Sequence, residues 1–164
     1  MAGQEIRSYD YVNQPYARVR EALLGNPTAI LAAATQAAAN RAESVATRLH
    51  VTISGIDVAT NVAVTTGTVV DETAGTYGDP VTKIPVSWES ASHPRLFPLM
   101  RAELALYPLA SAETQIDFKG VYQPPLGAVG NAVNALVGHR IAEACVHAFV
   151  SDVASYLREH VRPA

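Results

Sequence analysis

The sequence is short of cysteine, lysine and charge, and each shortage excludes something. One cysteine, Cys145, stands among 164 residues, so no internal disulfide can form. Only two lysines occur, Lys83 and Lys119, within a total of 12 Lys+Arg against 15 Asp+Glu and a net charge of −3. With a sequence pI near 5.9 there is no basic stripe to neutralise phosphates, and no nucleic-acid partner is expected. No uninterrupted apolar run approaches the roughly 20 residues of a membrane span. Nucleotide and hydrolase signatures are missing as well: no G-x-G-x-x-G follows a strand, and neither G-x-x-x-x-G-K-[ST] nor G-x-S-x-G occurs. No cofactor is expected. Glu5, Arg7 and Asp10 occupy the stretch that a secretory signal would make apolar, which predicts a cytoplasmic chain.

What is present is apolar side chain, 49% of the residues, too much for a disordered chain. The length suits a single domain over 1–164, with roughly two thirds of the unfolded surface buried on folding. Glu5 to Val12 has the content of a strand. Asn13 and Pro15 predict a helix to about Leu24, which Gly25 can stop in a left-handed conformation, and Asn26-Pro27 repeats the start signal. The second helix, to about Ser44, carries AAATQAAAN and reads as a thin amphipathic helix, with a mobile lid as the alternative.

From Val45 to Tyr122 the period becomes two. Leu49, Val51 and Ile53 form one run, and Val62, Val64, Thr66, Thr68 and Val70 a second. Glu72 to Pro80 reads as a loop, and Ile84, Val86 and Trp88 form a third run, in which Pro85 predicts an edge or a bulge. Leu99 to Tyr107 and Thr114 to Tyr122 should pair as a hairpin. Like charges directly opposite one another are destabilising, so the register in which Glu103 faces Lys119 and Leu104 faces Phe118 is preferred over one that sets Arg101 on Lys119. Pro124-Pro125 then opens a helix to about His160. Leu126, Val129, Val133, Val137 and Ile141 share one side of it, while Phe149, Val153, Tyr156 and Leu157 lie well round from them, which a kink near Gly138 would explain. The fold class is α+β, an antiparallel sheet covered on one face by a long C-terminal helix.

In this order of elements the chain resembles the helix-grip superfamily of START-type and birch-pollen-allergen-like domains (SRPBCC), which includes polyketide cyclases. The resemblance is carried by HPRLFPLMRAELALYPL (His93 to Leu109), GVYQPPLGAVGNAV (Gly120 to Val133) and HRIAEACVHAFVSDVASYL (His139 to Leu157), segments similar to those of bacterial members. It implies a roll whose sheet and last helix enclose a small apolar molecule such as a lipid or polyketide. Trp88, Leu104, Phe118, Tyr122, Val129, Val133 and Val137 would then be ligand-binding walls. The alternatives are a polyketide cyclase or dehydratase, and a structural or partner-binding domain whose core is filled.

The residues themselves favour binding over catalysis. Alternation turns Leu49, Val51, Ile53, Val62, Val64, Ile84, Val86, Trp88, Leu104, Leu106, Ile116, Phe118 and Tyr122 inward, with hydroxyls at Thr66, Thr68, Thr82, Ser90 and Tyr122 to orient a mostly apolar ligand. It turns Glu89, Glu103, Asp117 and His50 outward. The catalytic candidates left are Asp10, on a strand whose face the pattern does not assign, and His93, in the connection before Pro98. His139, Glu143 and His147 share a helix face at i, i+4 and i+8. The outer two stand about 12 Å apart at 1.5 Å per residue, too far for one ion, so no metal site is expected and the set reads as a solvated stripe or an Arg140 to Glu143 pair. Cys145, mid-helix with no cationic neighbour, reads as a small buried hydrophobe.

Overall fold

The computed structural model describes residues 4–48, 62–90, 99–123 and 132–161. Along the chain lie β1 (Gln4–Val12), α1 (Tyr16–Gly25), α2 (Pro27–Arg48), β2 (Val62–Thr66), β3 (Val70–Ala74), β4 (Asp79–Ser90), β5 (Leu99–Ala110), β6 (Glu113–Gln123) and α3 (Ala132–His160). Every strand pairing is antiparallel. The sheet order is β1-β6-β5-β4-β2, with β3 also on β4. This is the α+β helix-grip architecture that the element order predicts. The strand expected at Leu49 to Ile53, the connection expected to hold His93, and Val129 fall outside the described residues.

The hairpin takes the register that its charges demand, with Glu103 opposite Lys119 and Leu104 opposite Phe118. Lys83, one strand over, adds ion pairs to Glu72 at 3.1 Å and Glu103 at 3.7 Å. Even-numbered residues of β1, β4, β5 and β6 face inward, so rows of side chains cross the sheet. Trp88, Met100, Tyr122 and Gln4 form one row; Val86, Ala102, Gly120 and Ile6 form the next; Ile84, Leu104, Phe118 and Ser8 the third; Thr82, Leu106, Ile116 and Asp10 the fourth. The second row is made of small side chains at its centre. A Cβ on Gly120 would come within 3.0 Å of Ala102 Cβ and Phe118 Cε1 and 3.1 Å of Met100 Sδ, so glycine makes the dip into which the Phe118 ring leans.

α3 closes the inner face. Its buried residues Ala142, Cys145, Val146, Phe149, Val150, Val153, Ala154 and Leu157 recur every three or four positions, the stripe of a helix laid on a sheet. The helix runs uninterrupted through Gly138. It packs along β1, and α2 packs in turn on α3 and β2. α2 is amphipathic, burying Ile30, Leu31, Ala34, Thr35, Ala38 and Ala39, and Asn26 Oδ1 accepts from Ala29 N–H at 3.4 Å at its start.

Four local expectations need correction. The stretch Glu72 to Pro80 is not a loop but most of a β3–β4 hairpin, whose turn sits at Gly75 and Gly78 with φ of +75° and +66°, a conformation that glycine adopts without strain. Thr66 shares a face with Val86 but lies uncovered at the sheet edge, and Thr68 falls in the break between β2 and β3, so both hydroxyls are exposed. Pro85 does not lie on an edge strand: β4 has β5 on one side, in unshifted register through Pro85, and β2 then β3 on the other, and Gly67 N–H donates to Pro85 O at 2.8 Å where those two part. A Cβ on Gly67 would stand 2.9 Å from that of Pro85, so the close approach itself requires glycine. Finally, Gly25 ends α1 without a left-handed turn, because Asn26 already breaks the helix.

Candidate functional site

One hydrogen-bonded cluster of the inner face lies in the first row, where β1 begins and the described part of α3 starts. Tyr122 is the last inward residue of β6 and is 1% exposed, yet its phenol needs partners. It finds two. The hydroxyl lies 2.6 Å from Gln4 Oε1, across the β1–β6 pairing, and 2.7 Å from His139 Nδ1 on α3. His139 Nε2 in turn faces Glu143 Oε1 at 3.2 Å, one helical turn on. Burial pushes the Tyr122 phenol up from its ordinary value, and the Glu143 carboxylate adds to the shift. The Tyr122 and His139 rings are tilted, with centroids 6.0 Å apart.

This chain of four groups accommodates a proton in two ways. When Tyr122 O–H donates to Gln4, His139 Nδ1–H donates to the tyrosine oxygen and Nε2–H to Glu143, which needs both ring protons. When Tyr122 O–H donates to Nδ1, the ring is neutral and the Gln4 amide turns to donate its NH₂. Between the two, only the Gln4 amide oxygen and nitrogen exchange places. His139 and Glu143 keep 36% and 60% of their side chains exposed, so the chain leads from a buried phenol to solvent.

The sequence reading missed His139. It placed His139 with Glu143 and His147 in a solvated stripe, whereas the structure turns His139 onto Tyr122 and pairs Glu143 with His139 rather than Arg140. The usable signal was the inward tyrosine, a buried hydroxyl that must be satisfied, but nothing local says which residue of α3 passes over it. Among the described residues no three His, Cys, Asp or Glu side chains come together to hold a metal ion.

From Trp88 in the first row to Phe118 in the third, aromatic rings fill the inner face. Trp88 and Phe118 stack with centroids 5.9 Å apart, and Phe149 of α3 sets its edge against both, at 5.0 Å and 5.6 Å. Trp88, Leu104 and Phe118 are 1%, 0% and 0% exposed. Here the residues expected as ligand walls are one another's neighbours. Val133 and Val137 belong to α3, one to two turns before His139, but their side chains lie outside the described set.

Asp10 sits at the far end of the sheet. It faces inward in the fourth row, opposite Ile116, about 20 Å along β1 from Gln4 at roughly 3.3 Å per residue. Its partner is structural: Arg158, in the last turn of α3, reaches Asp10 Oδ1 at 2.6 Å and donates from Nε to Tyr11 O at 3.0 Å. Tyr11 N–H donates to the same carboxylate at 2.7 Å. The pair therefore satisfies both backbone groups of Tyr11 on the open edge of β1, where a neighbouring strand would otherwise add. α3 is thus tied to the sheet at two places, to β6 by Tyr122–His139 and to β1 by Asp10–Arg158. Cys145 is 1% exposed and burial pushes its thiol up to about 12, in line with its reading as a small buried hydrophobe.

These elements define the helix-grip fold, the class that the sequence resembles. Among solved structures, the chain is similar to the Zhui aromatase/cyclase from Streptomyces sp. R1128, with 13% identity over 97% of this chain and 96% of that one and a TM-score of 0.51. It is also similar to Ara h 8.0201, with 10% identity over 96% and 99% of the two chains and a TM-score of 0.45. A conserved protein from Geobacillus kaustophilus matches at 11% identity over 97% and 98%, with a TM-score of 0.44. At 13% identity the likeness to the aromatase/cyclase shows a shared fold alone. No protein-family model and no curated protein matches the chain. No helix among the described residues is long and apolar enough to cross a membrane.

Proposed function

We propose that the chain binds a small, mostly apolar molecule bearing one polar group, admitted between the sheet and the first half of α3 at the Tyr122–His139 end. The observation that carries this reading is the unequal way α3 is held to the sheet. In the middle it is held by the closed Trp88–Phe118–Phe149 cluster, which no ligand enters without a large loss of packing. At the His139 end it is held by hydrogen bonds, each worth about 1 kcal/mol net, which the polar group of a ligand can replace. Met100 and Tyr122 of the first row form the sheet side of the proposed site, with Val129, Val133 and Val137 proposed as the side facing them, while Trp88 belongs to the closed cluster. Leu104 and Phe118 belong to the closed part and set its floor.

Native mass spectra of protein isolated from its own host, set against denatured spectra, test this reading. A bound organic mass that disappears on denaturation, and that is missing from a folded Tyr122→Leu variant, is the expected result. Protein that is empty and also takes up no apolar dye would sink it in favour of a filled core and a protein partner.

A second reading is supported by the relay itself. A phenol, an imidazole and a carboxylate in hydrogen-bonded series are the parts of a general acid/base, as a cyclase or dehydratase requires. In this reading His139 moves the proton, and Asp10, engaged by Arg158, does not take part. The catalytic role first considered for His93 stays a proposal, to be tested by His93→Ala. Loss of turnover of a polyketide-like substrate in His139→Gln, with binding retained, would select this reading over simple carriage.

A further inference from the structure

The outer face of the sheet carries a second cluster that has nothing to do with the ligand site. Odd-numbered residues point there, and the register sets Tyr11, Gln115 and Tyr107 in one row across β1, β6 and β5, with Tyr9, Asp117 and Ala105 in the next. Tyr9 and Tyr11 are 58% and 38% exposed, and their rings meet edge to face with centroids 5.6 Å apart. Tyr107, Gln115 and Asp117 are half-buried among them. The Tyr107 phenol feels both the Asp117 carboxylate and Tyr11, which puts all three within electrostatic reach of one another. None of the ion pairs among the described residues includes Asp117. Arg7 and Lys119 act on it from the row beyond, on the side away from Tyr11 and Tyr107.

We propose that the slot between Tyr11 and Tyr107, floored by Gln115 and Asp117, binds the alkylated ammonium group of a small molecule. Two strand spacings place the tyrosine backbones about 10 Å apart with Gln115 between them, so the two side chains flank the same stretch of the outer face. A cation is attracted when it comes within roughly 6 Å of a ring face. The carboxylate supplies the counter-charge. An alkylated ammonium suits this surface better than a compact hydrated ion, because its methyl groups give the rings apolar contact as well as charge. The occupant is a small molecule rather than a protein, because two rows on three strands fall far short of the roughly 800 Å² per partner of a stable protein interface.

Choline chloride and its uncharged carbon analogue 3,3-dimethylbutan-1-ol are the probes, titrated at constant ionic strength while the tyrosine ring resonances are followed by NMR. Choline should shift the Tyr11 and Tyr107 signals saturably in the millimolar range, and the neutral analogue should not. Asp117→Asn and Tyr107→Leu, each first shown to be folded by its amide spectrum, should weaken choline binding about tenfold, which is about 1.4 kcal/mol. Equal response to the neutral analogue, unsaturable shifts, or undiminished binding to Asp117→Asn would overturn the proposal. The outcome is independent of the inner-face site, whose residues lie on the other side of the sheet.

Discussion

Phe149→Ala removes an α3 ring that packs edge-on against both Trp88 and Phe118. Phe149 is 0% exposed, so its ring gives up the whole of its burial, worth about 2 kcal/mol. Trp88 and Phe118 are fixed in the sheet and cannot follow, so most of the ring's volume stays empty. A residual void of about 80 Å³ costs a further 2 kcal/mol or so at roughly 24 cal/mol per Å³. The expected loss is about 4 kcal/mol. In urea, with a slope of about 2 kcal/mol/M for a chain of this length, the unfolding midpoint should fall by about 2 M at unchanged slope. The void should also take up xenon, which the unaltered protein should not. A loss below about 2 kcal/mol with no xenon uptake would refute the reasoning, because it would mean that the space between sheet and helix was never filled.

Three further outcomes follow from the same coordinates. Tyr122→Phe keeps the ring but removes the hydroxyl shared by Gln4 and His139, and since both partners can turn to water the cost should be about 1 kcal/mol, read from urea unfolding. Cys145, with its thiol pushed up to about 12, should resist a disulfide-exchange reagent at pH 8 and react only at the rate of global unfolding; fast labelling of native protein would contradict its burial. For Asp117 the largest cause of its shift is burial, which raises its carboxyl above the unfolded value against the pull of Arg7 and Lys119. The ionised form therefore costs stability above the folded pKa, a cost that disappears as the pH falls below the unfolded one. Asp117→Asn should accordingly be more stable than the parent at pH 7, with the difference closing towards pH 3 in thermal unfolding.

The parts of the fold that were legible in the sequence are those that a local rule decides. Alternation assigned the inner faces of β4, β5 and β6. The β5–β6 register followed from Glu103 and Lys119, because one slip would have set Arg101 on Lys119. The break opposite Pro85 was foreseeable because a residue without an N–H leaves one neighbour of a central strand short of a donor. What stayed hidden depends on contacts between elements distant in sequence. The β3 strand, VDETA, is exposed along its whole length and has no inward face for a period to reveal. Asp10 alternates with Tyr9 and Tyr11 in a strand that is polar on both faces at that point, so only Arg158, 148 residues away, shows which way it points. His139 and Tyr122 were each singled out, but in separate arguments, since the turn of α3 that passes over the end of β6 is set by packing and not by spacing. The candidate site was therefore half readable: its phenol was, its imidazole was not.

The most direct test of the account is where an apolar ligand enters. Adding 8-anilinonaphthalene-1-sulfonate to isotopically labelled protein and following the amide and ring resonances maps it. The account predicts saturable shifts at Gln4, Tyr122, His139 and Met100, with Phe149 and Ile116 unmoved, and weaker binding in His139→Leu. Shifts centred on Trp88, Phe118 and Phe149, with Tyr122 and His139 silent, would contradict it.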